Sequence, residues 1–159
     1  MFKIGDMAVY PTQGVGVIES IEAKEFQGQK LEFYILRIVD SDMTIMVPVN
    51  NCHSVGLRCL VDSDTVDSIY GVLENAAPGG PVASWSRRQR EYHDKIKSGD
   101  LFEVAAVLRD LYQIRCDKEL SYGEKKVLEQ AQKLLIKEIA FAQGAEEQTV
   151  YQRIEKIFH

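Results

Sequence analysis

Leu31-Glu32-Phe33-Tyr34-Ile35-Leu36-Arg37-Ile38-Val39 is dense in aromatic and β-branched residues and reads as a strand. Met7-Ala8-Val9-Tyr10, Val15-Gly16-Val17-Ile18-Glu19-Ser20-Ile21 and Thr44-Ile45-Met46-Val47-Pro48-Val49 read the same way. Turn formers separate them: Gly5-Asp6, Pro11-Thr12-Gln13-Gly14, Gln27-Gly28-Gln29 and Asp40-Ser41-Asp42. About five short strands in the first sixty residues predict a small SH3-like or Tudor-like β-barrel. Gly14 and Gly16 flank a strand start, where such a barrel bends tightly.

Proline cannot donate to a ladder, so Pro48 places its strand at an edge or a bulge. An open edge is also a template on which a partner can add a strand. Met43-Thr44-Ile45-Met46-Val47-Pro48 carries no charge to mask that edge, and methionine suits adaptable binding surfaces. Alternate residues of this run must fill the core, which leaves Met46 and Pro48 as candidates for a partner surface.

After Asp62 the apolar period becomes helical. Asp64 is the expected cap of a short helix through Ile69, Val72 and Leu73, which ends before the breaker run Pro78-Gly79-Gly80-Pro81. Ser84 should cap a second helix reaching Lys97. Asp100, with Glu103 at the capping-box position, should start a third whose stripe is Leu101, Val104, Ala105, Leu108, Leu111 and Tyr112. Ser121 and Glu124 form another capping box, followed by Val127, Leu128, Ala131, Leu134, Leu135, Ile139 and Ala142, a stripe interrupted by Glu138 and stopped at Gly144. A last helix runs from about Glu146 to Phe158. Helices this short need a shared core. The expected organisation is therefore α+β, with a barrel over residues 1-62 and a compact all-helical domain over 63-159.

The 159-residue, 18.0 kDa chain is 45% hydrophobic and carries a formal net charge of -5, so it is a folded protein that cannot coat nucleic acid by bulk charge. Cys52, Cys59 and Cys116 make no disulfide framework and suit a reducing cytoplasm. Cys52-His53 with Cys59 lacks the spacing and the fourth ligand of a zinc site. Neither a signal peptide nor a membrane span is expected. His53, His93 and His159 lie beside no nucleophile or base in sequence, and Gly14-Val15-Gly16 is no phosphate loop. Binding without catalysis, cofactor or metal is the expected class.

The binding signal lies in Ser84-Trp85-Ser86-Arg87-Arg88-Gln89-Arg90. Arginines in a first helical turn face the positive end of the dipole, at a cost of roughly 0.3 to 1 kcal/mol each unless an anion is near. From Trp85 to Lys97, Arg87, Arg88, Arg90, Lys95 and Lys97 outweigh Glu91 and Asp94 in an otherwise acidic chain. A solvated helix face also looks like this, and Trp85 shares a helical face with Tyr92 and Ile96, as a core residue would. An exposed indole flanked by arginines would instead wedge at a base step or cap an unstacked base while the guanidinium groups hold phosphates. An acidic protein partner for the same surface is the alternative, which would make the chain an interaction adaptor without DNA contact.

Gly5-Asp6-Met7-Ala8-Val9-Tyr10-Pro11-Thr12-Gln13-Gly14-Val15-Gly16, Phe33-Tyr34-Ile35-Leu36-Arg37, Met46-Val47-Pro48, Ser54-Val55-Gly56-Leu57-Arg58, Trp85-Ser86-Arg87-Arg88 and Leu108-Arg109-Asp110-Leu111-Tyr112 together resemble the bacterial CarD/CdnL transcription factors, over essentially the whole chain. The resemblance implies a Tudor-like domain that binds the RNA polymerase β subunit, and a helical domain that contacts promoter DNA at the upstream edge of the bubble and stabilises the open complex. It places the tryptophan wedge on Trp85 and the DNA-contacting arginine pair on Arg87 and Arg88, with Arg90 added from the local charge pattern. The polymerase-binding strand falls on Ile35, Met46 and Pro48. The barrel also resembles the polymerase-interacting module of the transcription-repair coupling factor. The lack of a long basic tail makes the shorter CdnL type the nearer resemblance. A monomer in the cytoplasm, associated with the nucleoid through polymerase, is expected.

Overall fold

The computed structural model describes residues 2–75, 85–117 and 119–158, with the backbone alone for Trp85 and Asp117. The chain divides into two compact units, Met1–Leu60 and Val61–His159. The expected cap at Ser84, the Pro78 to Pro81 breaker and His159 lie outside the described residues.

In the first unit, β1 (Met7–Tyr10), β2 (Gly14–Phe26), β3 (Gln29–Ile38), β4 (Thr44–Pro48) and β5 (Arg58–Cys59) form an antiparallel sheet in the order β4-β3-β2-β1-β5. Strand β4 stands at an edge, the place in a sheet where a proline such as Pro48 is tolerated. The β2–β3 hairpin turns on Gln27 and Gly28, whose φ of 49° and 78° suit a two-residue turn that follows the strand twist. Between Ile18 and Ser20 the pairing shifts, leaving Glu19 as an extra residue. Its carboxylate accepts from Arg37 Nε at 2.6 Å, while Arg37 Nη1 donates to Asp42 at 3.1 Å.

The core of this unit lies on one face of the sheet and holds Phe2, Ala8, Ile18, Tyr34, Leu36, Ile38, Val47, Cys52 and Leu57. Phe2 meets Tyr34 edge to face, with ring centroids 5.6 Å apart, and its amide donates to the Tyr34 hydroxyl at 3.1 Å. At Gly16 the neighbouring strand β3 is too close for a side chain. A Cβ there would lie 2.8 Å from Leu36 Cδ1 and 2.9 Å from the Arg37 carbonyl oxygen. Gly16→Ala is therefore expected to cost about 1–3 kcal/mol through overpacking. Hydrogen exchange should quicken in the β1–β2 amides, and unchanged protection would contradict the steric account.

The second unit comprises α1 (Ser63–Glu74), α2 (Trp85–Lys97), α3 (Leu101–Asp117), α4 (Tyr122–Gln143) and α5 (Glu147–Ile157). The cap of α1 is Asp62 and not Asp64: Asp62 has extended backbone and accepts from the Thr65 amide at 2.8 Å, whereas Asp64 is already helical. Hydrogen bonding from Thr65 holds the Asp62 carboxyl below the usual carboxylate range. Asp100 accepts from the Phe102 amide at 2.9 Å at the start of α3. The Ser121–Glu124 capping box is present at α4, and Gly144 ends that helix in a left-handed conformation.

Helix α3 packs against α1, α2 and α4, and α5 against α4 and α1. Their shared core includes Ile69, Leu73, Ile96, Leu108, Leu111, Leu135, Ile139 and Ile154. Glu138, the interruption in the α4 stripe, is buried and accepts from the Val61 amide at 3.0 Å. Tyr112 ties three helices together. Its hydroxyl donates to Glu155 at 2.7 Å and accepts from Gln132 at 2.8 Å. Its ring stacks on Phe158 at 4.4 Å beneath the Arg115 guanidinium.

Candidate interaction surfaces

Strand alternation sends Tyr34, Leu36 and Ile38 into the core, and so sends Leu31, Phe33 and Ile35 to the opposite face of β3. The ladder sets Ile35 opposite Met46 and Phe33 opposite Pro48. Met46 is 42% exposed, while Ile35 and Pro48 are half-buried. Ile35, Met46 and Pro48 are thus brought together on one outward face beside the open edge of β4. Lys24 reaches across from β2, with Nζ 3.9 Å from Met46 Sδ. Leu31 and Phe33 extend this apolar face. Their signal in the sequence is the odd-numbered series 31, 33, 35 in a strand whose even-numbered residues already supply the core.

In the helical unit, Tyr92 and Ile96 are buried and fix one face of α2 to the core. The expected exposure of the Trp85 indole lies outside the described side chains; its backbone is the first residue of α2. The arginines part company. Arg87 is 77% exposed, with Nε 3.9 Å from Oε1 of Glu91. Arg90 is also exposed. Arg88 is 11% exposed, and its Nη1 lies 3.4 Å from Oε2 of Glu124, itself 5% exposed. Helical geometry explains the split: at about 100° per residue, positions 87 and 90 are neighbours around the axis, whereas 88 and 90 are nearly opposed.

Glu124 belongs to the α4 capping box. Its Oε1 accepts from the Ser121 amide at 2.9 Å, and its own amide donates to the Ser121 hydroxyl at 3.3 Å. Burial pushes this carboxyl up, but hydrogen bonds from Ser121 and Arg88 outweigh it and hold the group below the usual glutamate range. The first turns of α2 and α4 are thereby joined. On α4 that turn begins with Tyr122, 75% exposed, with Lys126 Nζ 5.1 Å from its ring centroid. Sequence reading missed Tyr122, an aromatic directly after a serine cap.

Among the described residues, no three of His, Cys, Asp and Glu gather as a metal site, and no helix is long and apolar enough to cross a membrane.

The CarD-like/TRCF RID domain matches residues 2–61 and the CarD C-terminal domain matches residues 68–155. YdeB of Bacillus subtilis (strain 168), named as a transcription factor, is 36% identical over 150 residues, covering 94% of this chain and 97% of its own. Among solved structures, the amino-terminal domain of Myxococcus xanthus CdnL is 52% identical over 38% of this chain and 86% of its own, with a TM-score of 0.33. The 72-residue amino-terminal domain of Myxococcus xanthus CarD is 37% identical over 37% of this chain and 79% of its own, also with a TM-score of 0.33. With both halves matched in order and a relative aligned along nearly its full length, the chain belongs to the CarD/CdnL family of transcription factors.

Proposed function

We propose that the sheet unit docks on the β subunit of RNA polymerase through the outward face of β3 and β4. Ile35, Met46 and Pro48 are its centre, and a strand of the partner aligns along the free edge of β4. The helical unit holds promoter DNA at the upstream edge of the bubble, with Trp85 at the fork and Arg87 and Arg90 on phosphates. Arg88 lies behind them. The factor works as a monomer in the cytoplasm and reaches the nucleoid through polymerase.

The observation that carries this reading is the gathering of Ile35, Met46 and Pro48 on one exposed apolar face at a sheet edge, in a chain of a transcription-factor family. Docking raises the effective concentration of the helical unit at the promoter, so weak DNA contacts suffice in an acidic chain. A contact made only with the open fork shifts the closed-to-open equilibrium by its differential affinity.

Full-length Met46→Ala/Pro48→Ala is expected to retain its thermal melting profile and to bind the β subunit at least about tenfold more weakly, the loss of two apolar anchors. Capture of the β subunit at the normal level would count against the docking face.

A further inference from the structure

We infer that Arg88 is a positioning residue: it clamps the first turn of α2 to the capping box of α4 and makes no phosphate contact of its own. The inference rests on the DNA-binding reading of α2. Arg87 and Arg88 are adjacent in sequence, yet their side chains are 77% and 11% exposed. The Arg88 guanidinium is 3.4 Å from a carboxylate that is 5% exposed. Turning Arg88 outward to a phosphate would leave that buried anion without its cation, a heavy penalty in a poorly solvated site.

Glu124 cannot follow the guanidinium. Its other oxygen is held at 2.9 Å by the Ser121 amide, and its backbone is fixed to the Ser121 hydroxyl at 3.3 Å. The α4 end of the clamp is therefore rigid. Glu124 also supplies the anion that a cation in the first turn of α2 requires against its own helix dipole. Its lowered proton affinity keeps the pair ionised at neutral pH. With Arg88 held inward, the helical period turns Arg87 and Arg90 outward and sets Trp85 one turn before the clamp. A DNA surface built on α2 then has a defined orientation before DNA arrives.

The test compares full-length wild type, Arg88→Met, Glu124→Gln, the Arg88→Met/Glu124→Gln double variant and Arg87→Ala. Affinity for a complex of polymerase holoenzyme with fork-junction promoter DNA is measured across a salt series, and thermal melting is followed without DNA. Glutamine preserves the capping geometry, and the double variant removes both charges together, so it folds even if Arg88→Met alone does not. Arg88→Met, Glu124→Gln and the double variant should each weaken binding by a similar factor, about tenfold, because all three break the one clamp. None of them should alter the salt slope. Arg87→Ala should lower that slope by about 0.9, the signature of one lost phosphate contact.

Normal binding by Glu124→Gln, or a salt slope lowered by about 0.9 in Arg88→Met, would show that Arg88 acts on phosphate and not through the clamp, and would overturn the inference alone. No change in affinity or slope with Arg87→Ala would overturn the DNA-binding reading itself, and this inference with it.

Discussion

Alanine at Tyr112 is expected to destabilise the helical unit by about 3–5 kcal/mol, the range for truncating a fully buried aromatic. The ring fills the space among α3, α4 and α5 and packs on Phe158. Its hydroxyl joins Gln132 to Glu155. Tyr112→Phe keeps the ring and removes only those two hydrogen bonds, so it should cost about 1–2 kcal/mol. Urea unfolding followed by helical circular dichroism separates the two variants. Equal losses would mean that packing contributes little beyond the hydroxyl.

The same residue predicts a pH dependence. Burial, and then the Glu155 carboxylate, push the Tyr112 phenol well above its ordinary value of 10.0. The folded state therefore holds this proton more tightly than the unfolded chain does. The associated stability is fully present below pH 10 and is lost as the pH rises through the alkaline range. Tyr112→Phe should flatten that alkaline loss.

The second large effect belongs to Trp85. In decay experiments at saturating factor, Trp85→Ala should shorten the open-complex lifetime towards that of polymerase alone. An aromatic–base stack is worth about 1–3 kcal/mol. Applied only to the open state, that is roughly a fivefold to a hundredfold change in the open population. Saturation separates this from docking, because Trp85→Ala leaves the proposed docking face on β3 and β4 unaltered. An unchanged lifetime would remove the wedge from the mechanism.

Much of this architecture was legible because it follows from periodicity. Strands β1, β3 and β4 sit where aromatic and β-branched residues cluster, and α3 and α4 follow apolar stripes with readable starts. The far arm of β2 was not legible: Glu22-Ala23-Lys24-Glu25-Phe26 is exposed, and its pairing with β3 satisfies the backbone without burying the side chains. Asp62 was passed over for Asp64 because a cap is decided by backbone angle, which two nearby aspartates do not reveal. Likewise, nothing local distinguishes Arg88 from Arg87; the difference is Glu124, thirty-six residues away. The grouping of Ile35 with Met46 came from family resemblance, and Phe33 and Leu31 join them only once the register is known.

That register carries a consequence for how the chain finds its fold. Most half-buried strands protect themselves from slippage by polarity, since a shift of one residue turns polar side chains inward. Strand β3 has little such protection, because a slip would exchange Tyr34 and Leu36 for Phe33 and Ile35 and only Arg37 would carry a charge inward. Mispaired hairpins are also rejected by the backbone, through the two left-handed residues at Gln27 and Gly28 and the extra residue at Glu19. An apolar outward face thus leaves the accuracy of folding to one arginine, one tight turn and one bulge.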